Sequence, residues 1–294
     1  MAQRLRTYAS FIKLEHTIFS LPLIFAGTWL ALRRWPGPAL AAGILLAAIG
    51  ARVMAMGLNR LIDMEIDERN PRTQRRELPR GAMRRWEGWV IVMLAGLLYV
   101  ASASAIAPIC AWLSPIPVCL FVIYPYLKRL TALSHLGLGL AWSMAPLGGW
   151  LAAVAQAGEV ASGRWAWYEL GFEFVGDVVW LWLFSLLWVA GFDIIYATMD
   201  EAVDRREGLH SLPARWGKRP ALRVAALLHA LAFLALCALW RTQLTSPLAL
   251  VWLAGIGALF IWQHAAAERR PEFAFFQLNG LLGFLVLGFV ATSM

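Results

Sequence analysis

Two stretches of the sequence carry oxygen-bearing side chains at a spacing that suits cation binding. The first, N-R-L-I-D-M-E-I-D, places Asn59, Asp63 and Asp67 four residues apart. The second, D-I-I-Y-A-T-M-D-E-A-V-D, places four polar side chains at related intervals: Asp193, Tyr196, Asp200 and Asp204. At about 100° per residue, each set lines one helix face. Two such faces opposite each other would form a cage of oxygen ligands for hard divalent cations.

Both stretches follow long apolar segments, and that location gives their acids significance. The chain has 294 residues, of which 60% are hydrophobic and 15% charged. A soluble protein carries about 25% charged residues. We interpret the chain as a helical membrane protein in contact with the lipid bilayer. A carboxylate near the membrane core costs roughly 2.5–3.5 kcal/mol on insertion scales and is therefore a functional candidate.

Apolar segments recur along the chain at lengths that suit membrane-spanning helices. Each approaches the ~20 residues that are needed to cross a bilayer. They fall at 17–32, 38–58, 87–108, 110–127, 132–155, 178–199, 220–240, 245–265 and 273–293. The pattern predicts an all-α polytopic bundle of nine transmembrane helices, which forms a single domain over residues 1–294.

The basic residues predict the orientation of this bundle. Most Lys and Arg side chains lie near the N-terminus and in alternate loops, chiefly 60–85 and 205–219, and few lie in the other loops. The positive-inside rule then places the N-terminus in the cytoplasm, with both acid-rich stretches at cytoplasmic helix ends. Because topology accounts for the formal charge of +8, we expect no nucleic-acid partner. The first residues are expected to form a short amphipathic surface helix.

Three motifs together resemble those of the UbiA superfamily of intramembrane aromatic prenyltransferases. N-R-L-I-D-M-E-I-D resembles the family's N-D-x-x-D-x-x-x-D motif, although Arg60 stands where the family often has Asp. Y-A-T-M-D-E-A-V-D resembles the second, Y-x-x-x-D-x-x-x-D motif, and Y-P-Y-L-K-R resembles the family's Y-P-x-x-K-R element. The motifs occur in the family's order, and the resemblance extends over nearly the whole chain.

The resemblance implies a role for each motif residue. Two Mg²⁺ ions would be bound by one amide and four carboxylates: Asn59, Asp63, Asp67, Asp200 and Asp204. The diphosphate of a polyprenyl diphosphate would contact three basic side chains and a hydroxyl: Arg72, Lys128, Arg129 and Ser211. The rings of Tyr124 and Tyr196 would stabilise the allyl cation through their π faces. The four aspartates and the two tyrosines would be the catalytic residues.

Arg52 lies two turns before Asn59, so its side chain should point into the same substrate cavity as the side chain of Asn59. An arginine within a membrane needs a partner. Two partners are possible on sequence grounds: the carboxylate of an aromatic acceptor, or Asp193. The first would make Arg52 a substrate-binding residue.

The expected function is polyprenyl transfer to a hydroxylated aromatic carboxylate in menaquinone or ubiquinone biosynthesis, at the cytoplasmic membrane of a prokaryote. Near the N-terminus, K-L-E-H-T-I-F-S-L-P replaces the R-x-D-x-P-I-G pattern of typical 4-hydroxybenzoate enzymes. The chain therefore resembles the menaquinone branch, which implies a dihydroxynaphthoate acceptor, and 4-hydroxybenzoate is the alternative. An ion-coupled transporter is an alternative of another class, although transporter sites usually lie near the midplane of the membrane.

Overall fold

A computed structural model describes residues 2–13, 17–156 and 172–293. These residues form helices and loops without a strand. The helices are α1 (Ala2–Ile12), α2 (Thr17–Leu32), α3 (Pro38–Ile62), α4 (Met64–Arg69), α5 (Arg85–Ile106), α6 (Pro108–Leu113), α7 (Pro115–Leu127), α8 (Ser134–Gln156), α9 (Phe172–Ala197), α10 (Glu201–Arg206), α11 (Leu212–Trp216), α12 (Lys218–Gln243), α13 (Leu248–Ala267) and α14 (Pro271–Thr292). The all-α membrane bundle predicted from the sequence is confirmed.

Each of the nine apolar segments forms a helix, but one of these helices is short. Within the described residues, eight helical segments are long and apolar enough to cross a membrane, counting α6 and α7 together as Pro108–Leu127. That segment is interrupted at Ser114, because Pro115 begins a new helix. Helix α2 has 16 residues, about 24 Å at the usual rise per residue. The count of nine spans therefore stays a prediction.

The short helix α2 is nevertheless fixed in the core by close packing against α8. A β-carbon at Gly149 would lie 2.0 Å from the carbonyl oxygen of Ile24, so only glycine permits this approach. The hydroxyl of Thr28 donates a hydrogen bond of 3.1 Å to the carbonyl of Gly149. Helix α9 lies between α8 and α12, and α3 packs mainly against α5. The two long helices that precede the acid-rich stretches are thus held by neighbours along their length.

Both acid-rich stretches have the same local architecture. A long helix ends, and a helix of six residues follows after a short break: α4 follows α3 after residue 63, and α10 follows α9 after residues 198–200. Asp63 and Asp200 lie at the two junctions. The backbone N–H of Asp67 donates to the carbonyl of Asp63, and that of Asp204 to the carbonyl of Asp200, each at 2.8 Å. The acids therefore keep helical i, i+4 spacing although the helix predicted through them is broken.

The N-terminal residues form the predicted short helix, α1, which contacts the loop after α4. Tyr8 donates a hydrogen bond of 2.6 Å to Glu87, and Ser10 donates one of 2.5 Å to Glu77. Phe11 is fully buried against α3 and α5. The K-L-E-H element lies partly outside the described residues, since residues 14–16 are among those not described.

Candidate active site

The two acid-rich stretches line one end of a single cavity of about 1040 Å³. From there the cavity continues between apolar side chains along α3, as far as Ile44, and to Cys110 on α6. Twelve of the predicted site residues line it: Arg52, Asn59, Asp63, Asp67, Arg72, Tyr124, Lys128, Asp193, Tyr196, Asp200, Asp204 and Ser211. The structure thus combines a strongly polar end with an apolar interior, as a substrate with a charged head and an apolar tail requires.

Asp63 is buried, with 3% of its surface exposed, and is surrounded by donors. Lys128 donates to its Oδ2 at 2.6 Å, and the amide of Asn59 donates to the same oxygen at 3.2 Å. Burial raises the pKa of the Asp63 carboxyl, and the charge of Lys128 opposes that rise. One turn further, Asp67 accepts a hydrogen bond of 2.7 Å from Arg76. Each acid of the first motif therefore has its own cation.

Asp200 of the second motif is held by the loop that follows the first motif. Arg72 forms a bidentate pair with it, in which Nε donates to Oδ1 at 2.9 Å and Nη2 donates to Oδ2. The amide of Asn70 donates to Oδ1 at 2.8 Å. Although burial lowers the pKa of Arg72, its hydrogen bonds to Asp200 and Tyr196 raise that pKa above the ordinary value. Arg72 therefore joins the two motifs as a permanent cation.

Asp204 lies beside Ser211, the residue that precedes α11. Burial raises the pKa of the Asp204 carboxyl, and a hydrogen bond from Ser211 opposes the rise. The Ser211 hydroxyl also accepts from the backbone N–H of Ala214 at 3.3 Å, which fixes its orientation. Ser211 therefore positions Asp204 and caps α11 at the same time.

The oxygen-rich end of the cavity fits Mg²⁺, but not as the cage inferred from the sequence. Among the described residues, no three Asp, Glu, His or Cys side chains converge closely enough to hold a metal ion by themselves. Three acids are instead paired with Lys128, Arg76 and Arg72. Mg²⁺ is usually held by one or two carboxylates together with waters and substrate phosphates. The donor set therefore suits an ion that is shared with a diphosphate.

Two predicted residues are placed differently from expectation. Arg129 does not line the cavity: it stacks on Tyr126 at 5.2 Å and donates to the carbonyl of Ile62 at 2.7 Å. This hydrogen bond gives a partner to a carbonyl group at the C-terminal end of α3, where carbonyl groups lack helical partners. Tyr196 lines the cavity, but Arg72 lies 4.6 Å from its ring centroid, and the ring of Phe275 packs 4.3 Å from it. The Tyr196 ring thus contacts two neighbours as well as the cavity, and its role toward an allyl cation stays a prediction.

Arg52 and Asp193 lie deeper in the cavity and do not pair with each other. The guanidinium of Arg52 lies 5.0 Å from the ring centroid of Trp142, and its Nε is buried without a hydrogen-bond partner. Asp193 Oδ2 instead lies 2.6 Å from Nδ1 of His135. The structure therefore does not form the Arg52–Asp193 pair that the sequence allowed, and a role of Arg52 toward an acceptor stays a prediction.

Three residues of this site escaped the sequence analysis. Arg76 and Asn70 belong to a loop with several basic and polar residues, and nothing in their spacing distinguishes them. His135 has no histidine partner at metal-binding spacing, so no pattern in the sequence distinguished it. Only the folded loop and the contact between α8 and α9 reveal these residues.

Fold and site together define a polytopic membrane enzyme with an anion- and cation-binding end and an apolar interior. The family model described as the UbiA prenyltransferase family matches residues 20–288. The chain belongs to this family and is a prenyltransferase, which confirms the resemblance of the three motifs.

Similar proteins support this assignment along the whole chain. A 4-hydroxybenzoate octaprenyltransferase of Vibrio vulnificus is 29% identical over 98% of this chain and 98% of its own. The apo structure of a UbiA homolog from Aeropyrum pernix K1 is 32% identical, with a TM-score of 0.84 over 94% of this chain and 97% of that one. A UbiA homolog from Archaeoglobus fulgidus, bound to DMAPP and Mg²⁺, shares the fold with 16% identity, a TM-score of 0.71 and 97% of each chain covered.

Proposed function

We propose that this protein transfers a polyprenyl group from an allylic diphosphate to the ring of a hydroxylated aromatic carboxylate in quinone biosynthesis. The observation that carries the proposal is the single cavity into which both acidic motifs and the basic side chains of Arg72 and Lys128 converge. An Mg²⁺ ion on each motif would suit the two carboxylate pairs. The concentration of basic residues in the loops beside the motifs supports a site that faces the cytoplasm of a prokaryotic cell.

The ion pairs of the site explain how a diphosphate could be bound. Mg²⁺, when bound, supplies positive charge that stabilises the departing diphosphate. With Mg²⁺ bound to the carboxylates, Lys128, Arg72 and Arg76 would be able to donate to the diphosphate oxygens instead of to the acids. Arginine offers a planar pair of donors, and lysine offers a compact charge. Their hydrogen bonds to the diphosphate strengthen as negative charge accumulates on this leaving group.

The apolar part of the cavity protects the cation that forms when the C1–O bond breaks. Water would capture an allyl cation, and a cavity lined by residues such as Ile44, Ala48 and Leu113 excludes it. The ring of Tyr124 lies at the boundary between the polar and apolar parts, where it can stabilise the cation. The remaining isoprenoid units would lie along α3.

We propose 4-hydroxybenzoate as the acceptor, in place of the dihydroxynaphthoate that the N-terminal pattern implied. The Vibrio relative is named for 4-hydroxybenzoate and is similar to this chain over 98% of its length. Arg52 provides a cation for the acceptor's carboxylate, because Trp142 holds the guanidinium while Nε lacks a partner. The phenolic ring would then lie between Arg52 and the metal-bound diphosphate.

Competition between the two acceptors tests this function. Purified protein is incubated with Mg²⁺, octaprenyl diphosphate and equal amounts of 4-hydroxybenzoate and a dihydroxynaphthoate, and the products are identified by mass. We expect prenylated 4-hydroxybenzoate to predominate, and no product when Mg²⁺ is chelated. A predominant naphthoate product would overturn the choice of acceptor. The absence of both products would overturn the proposed function.

A further inference from the structure

A carboxylate on α9 lies in the deeper part of the cavity without an assigned role. Asp193 precedes Asp200 by seven residues, as Arg52 precedes Asn59. Asp193 and Arg52 therefore each lie inward from the motif residues of their own helix. Both line the cavity, as does Tyr124.

The geometry around His135 determines what this carboxylate can do. The backbone N–H of Leu212 donates to His135 Nε2 at 3.2 Å, so Nε2 must be the unprotonated ring nitrogen. The ring proton is then on Nδ1, which donates to Asp193 Oδ2 at 2.6 Å. A neutral histidine that donates in this way stabilises an ionised carboxylate and holds its orientation. His135 is itself buried and separates this side of Asp193 from solvent.

The second oxygen of Asp193, Oδ1, does not contact His135. Oδ1 makes no hydrogen bond with any of the described residues, and the side chain of Asp193 is partly exposed to the cavity. Arg52, which also lines the cavity, is not its ion-pair partner. Asp193 is thus a carboxylate oriented by His135, with one oxygen available to a bound ring.

We propose that Asp193 is the base that removes the proton from the ring carbon during prenyl transfer, and that His135 is its positioning residue. This inference rests on the proposed function. The C1–O bond of the prenyl diphosphate breaks, and the ring carbon beside the hydroxyl bonds to C1. Asp193 Oδ1 takes the hydrogen of that carbon as a proton, and the C–H electrons restore the aromatic ring. The proton passes to water when the product leaves.

Asp193→Asn tests the base without removing the hydrogen bond, because the amide oxygen can still accept from His135 Nδ1. The kcat should fall about 100-fold or more, the effect expected for loss of a general base. The KM for prenyl diphosphate and the melting temperature should be unchanged. Glu268→Gln, which changes an exposed carboxylate that does not line the cavity, is the matched control with full activity.

An isotope effect separates a base from a merely structural residue. With 4-hydroxybenzoate deuterated on both ring carbons beside the hydroxyl, Asp193→Asn should show a primary isotope effect on kcat larger than that of the wild type. His135→Leu should show the same change, and His135→Asn, which restores a donor near the position of Nδ1, should largely reverse it.

Four outcomes would contradict the inference. Wild-type kcat in Asp193→Asn, or a slow variant without an enlarged isotope effect, would overturn the role of Asp193 as the base. Neither result would contradict the proposed function. Loss of prenyl diphosphate binding in the same variant would show that Asp193 belongs to the diphosphate site instead. A wild-type protein that prenylates no aromatic carboxylate would overturn the proposed function as well.

Discussion

At the scale of single residues, the acids of the site are distinguished by their partners. Asp63 contacts Lys128, Asp67 contacts Arg76, and Asp200 contacts Arg72. Each pair places a positive charge beside a buried or half-buried carboxylate. They also hold the cations beside the position where a diphosphate would bind.

Single Asn substitutions at Asp63, Asp67, Asp200 or Asp204 should therefore lower kcat about 100-fold or more, since each removes a ligand that acts on the leaving group. Thermal melting should change little, because the amide still accepts a hydrogen bond and the freed cations are partly exposed. Turnover with Mg²⁺ is the measurement, and the exposed Glu68→Gln is the control. Near-normal activity in any of these variants would remove that residue from the metal site.

Arg52→Ala should raise the KM for the aromatic acceptor by roughly 10–100-fold, as expected for loss of a hydrogen bond to a charged group. The KM for prenyl diphosphate should stay near the wild-type value, because Arg52 lies away from the diphosphate end. Steady-state kinetics with each substrate varied in turn check this split. A parallel rise in both KM values would show that Arg52 supports the fold of the cavity rather than the acceptor.

The residues that the sequence revealed are those with regular spacing or with a family motif. Asp63, Asp67, Asp200 and Asp204 recur at helical intervals, so their common face was predictable. His135 and Arg76 act through contacts between elements distant in sequence, which no local pattern records. The engagement of Tyr196 by Arg72 and Phe275 was likewise invisible, because it depends on loop and helix packing.

At the scale of elements, α1 is attached to the loop after α4 through one buried carboxylate. Glu77 accepts from Arg60 at 2.5 Å and from Ser10 at 2.5 Å. Arg60 occupies the motif position where the family often has Asp, and it lies over the ring of Phe11 at 5.7 Å. The same loop carries Arg72 and Arg76, so this network helps to hold these two site residues in position.

The same network predicts how stability depends on pH. Burial raises the pKa of Glu77. Hydrogen bonds from Ser10 and the backbone, together with the charge of Arg60, lower that pKa by more than burial raises it, so the net shift is downward. A carboxyl with a lowered native pKa stabilises the fold above its unfolded pKa of about 4.3, and this contribution disappears as pH falls through the native pKa. Glu77→Gln should therefore melt several degrees lower at neutral pH, and the difference should vanish in acid.

Melting temperatures of detergent-solubilised wild type and Glu77→Gln across this pH range check the prediction. Glu68→Gln, which changes an exposed carboxylate, should match the wild type throughout. A difference that persists at acid pH would show that Glu77 acts through packing rather than through its charge.

At the scale of the whole molecule, hydropathy predicted where the helices lie but not how they are interrupted. All nine apolar segments are helical, because each must satisfy its backbone within a bilayer. The break at Ser114 depends on local proline geometry, because Pro115 begins a new helix there. The course of the cavity along α3 could not be predicted, because it arises where helices fail to pack.

Membrane orientation makes a second whole-molecule prediction. In a background without native cysteines, single cysteines at the exposed positions Gln74 and Arg215 should react with an impermeant maleimide only from the cytoplasm. A cysteine at Arg34, beyond the opposite end of α3, should react only from outside. Labelling of Gln74 and Arg215 from different sides would contradict a shared site, since two motifs across a membrane cannot hold one diphosphate.

The central claim is that both motifs hold one Mg²⁺–diphosphate unit, and a double-mutant cycle on binding tests it most directly. The affinity of the unreactive geranyl S-thiolodiphosphate is measured by calorimetry with and without Mg²⁺ for wild type, Asp63→Asn, Asp200→Asn and the double variant. We predict binding only with Mg²⁺, and a double variant scarcely weaker than either single one, because groups that act as a unit are not additive. Binding without Mg²⁺, or fully additive losses, would contradict a shared site.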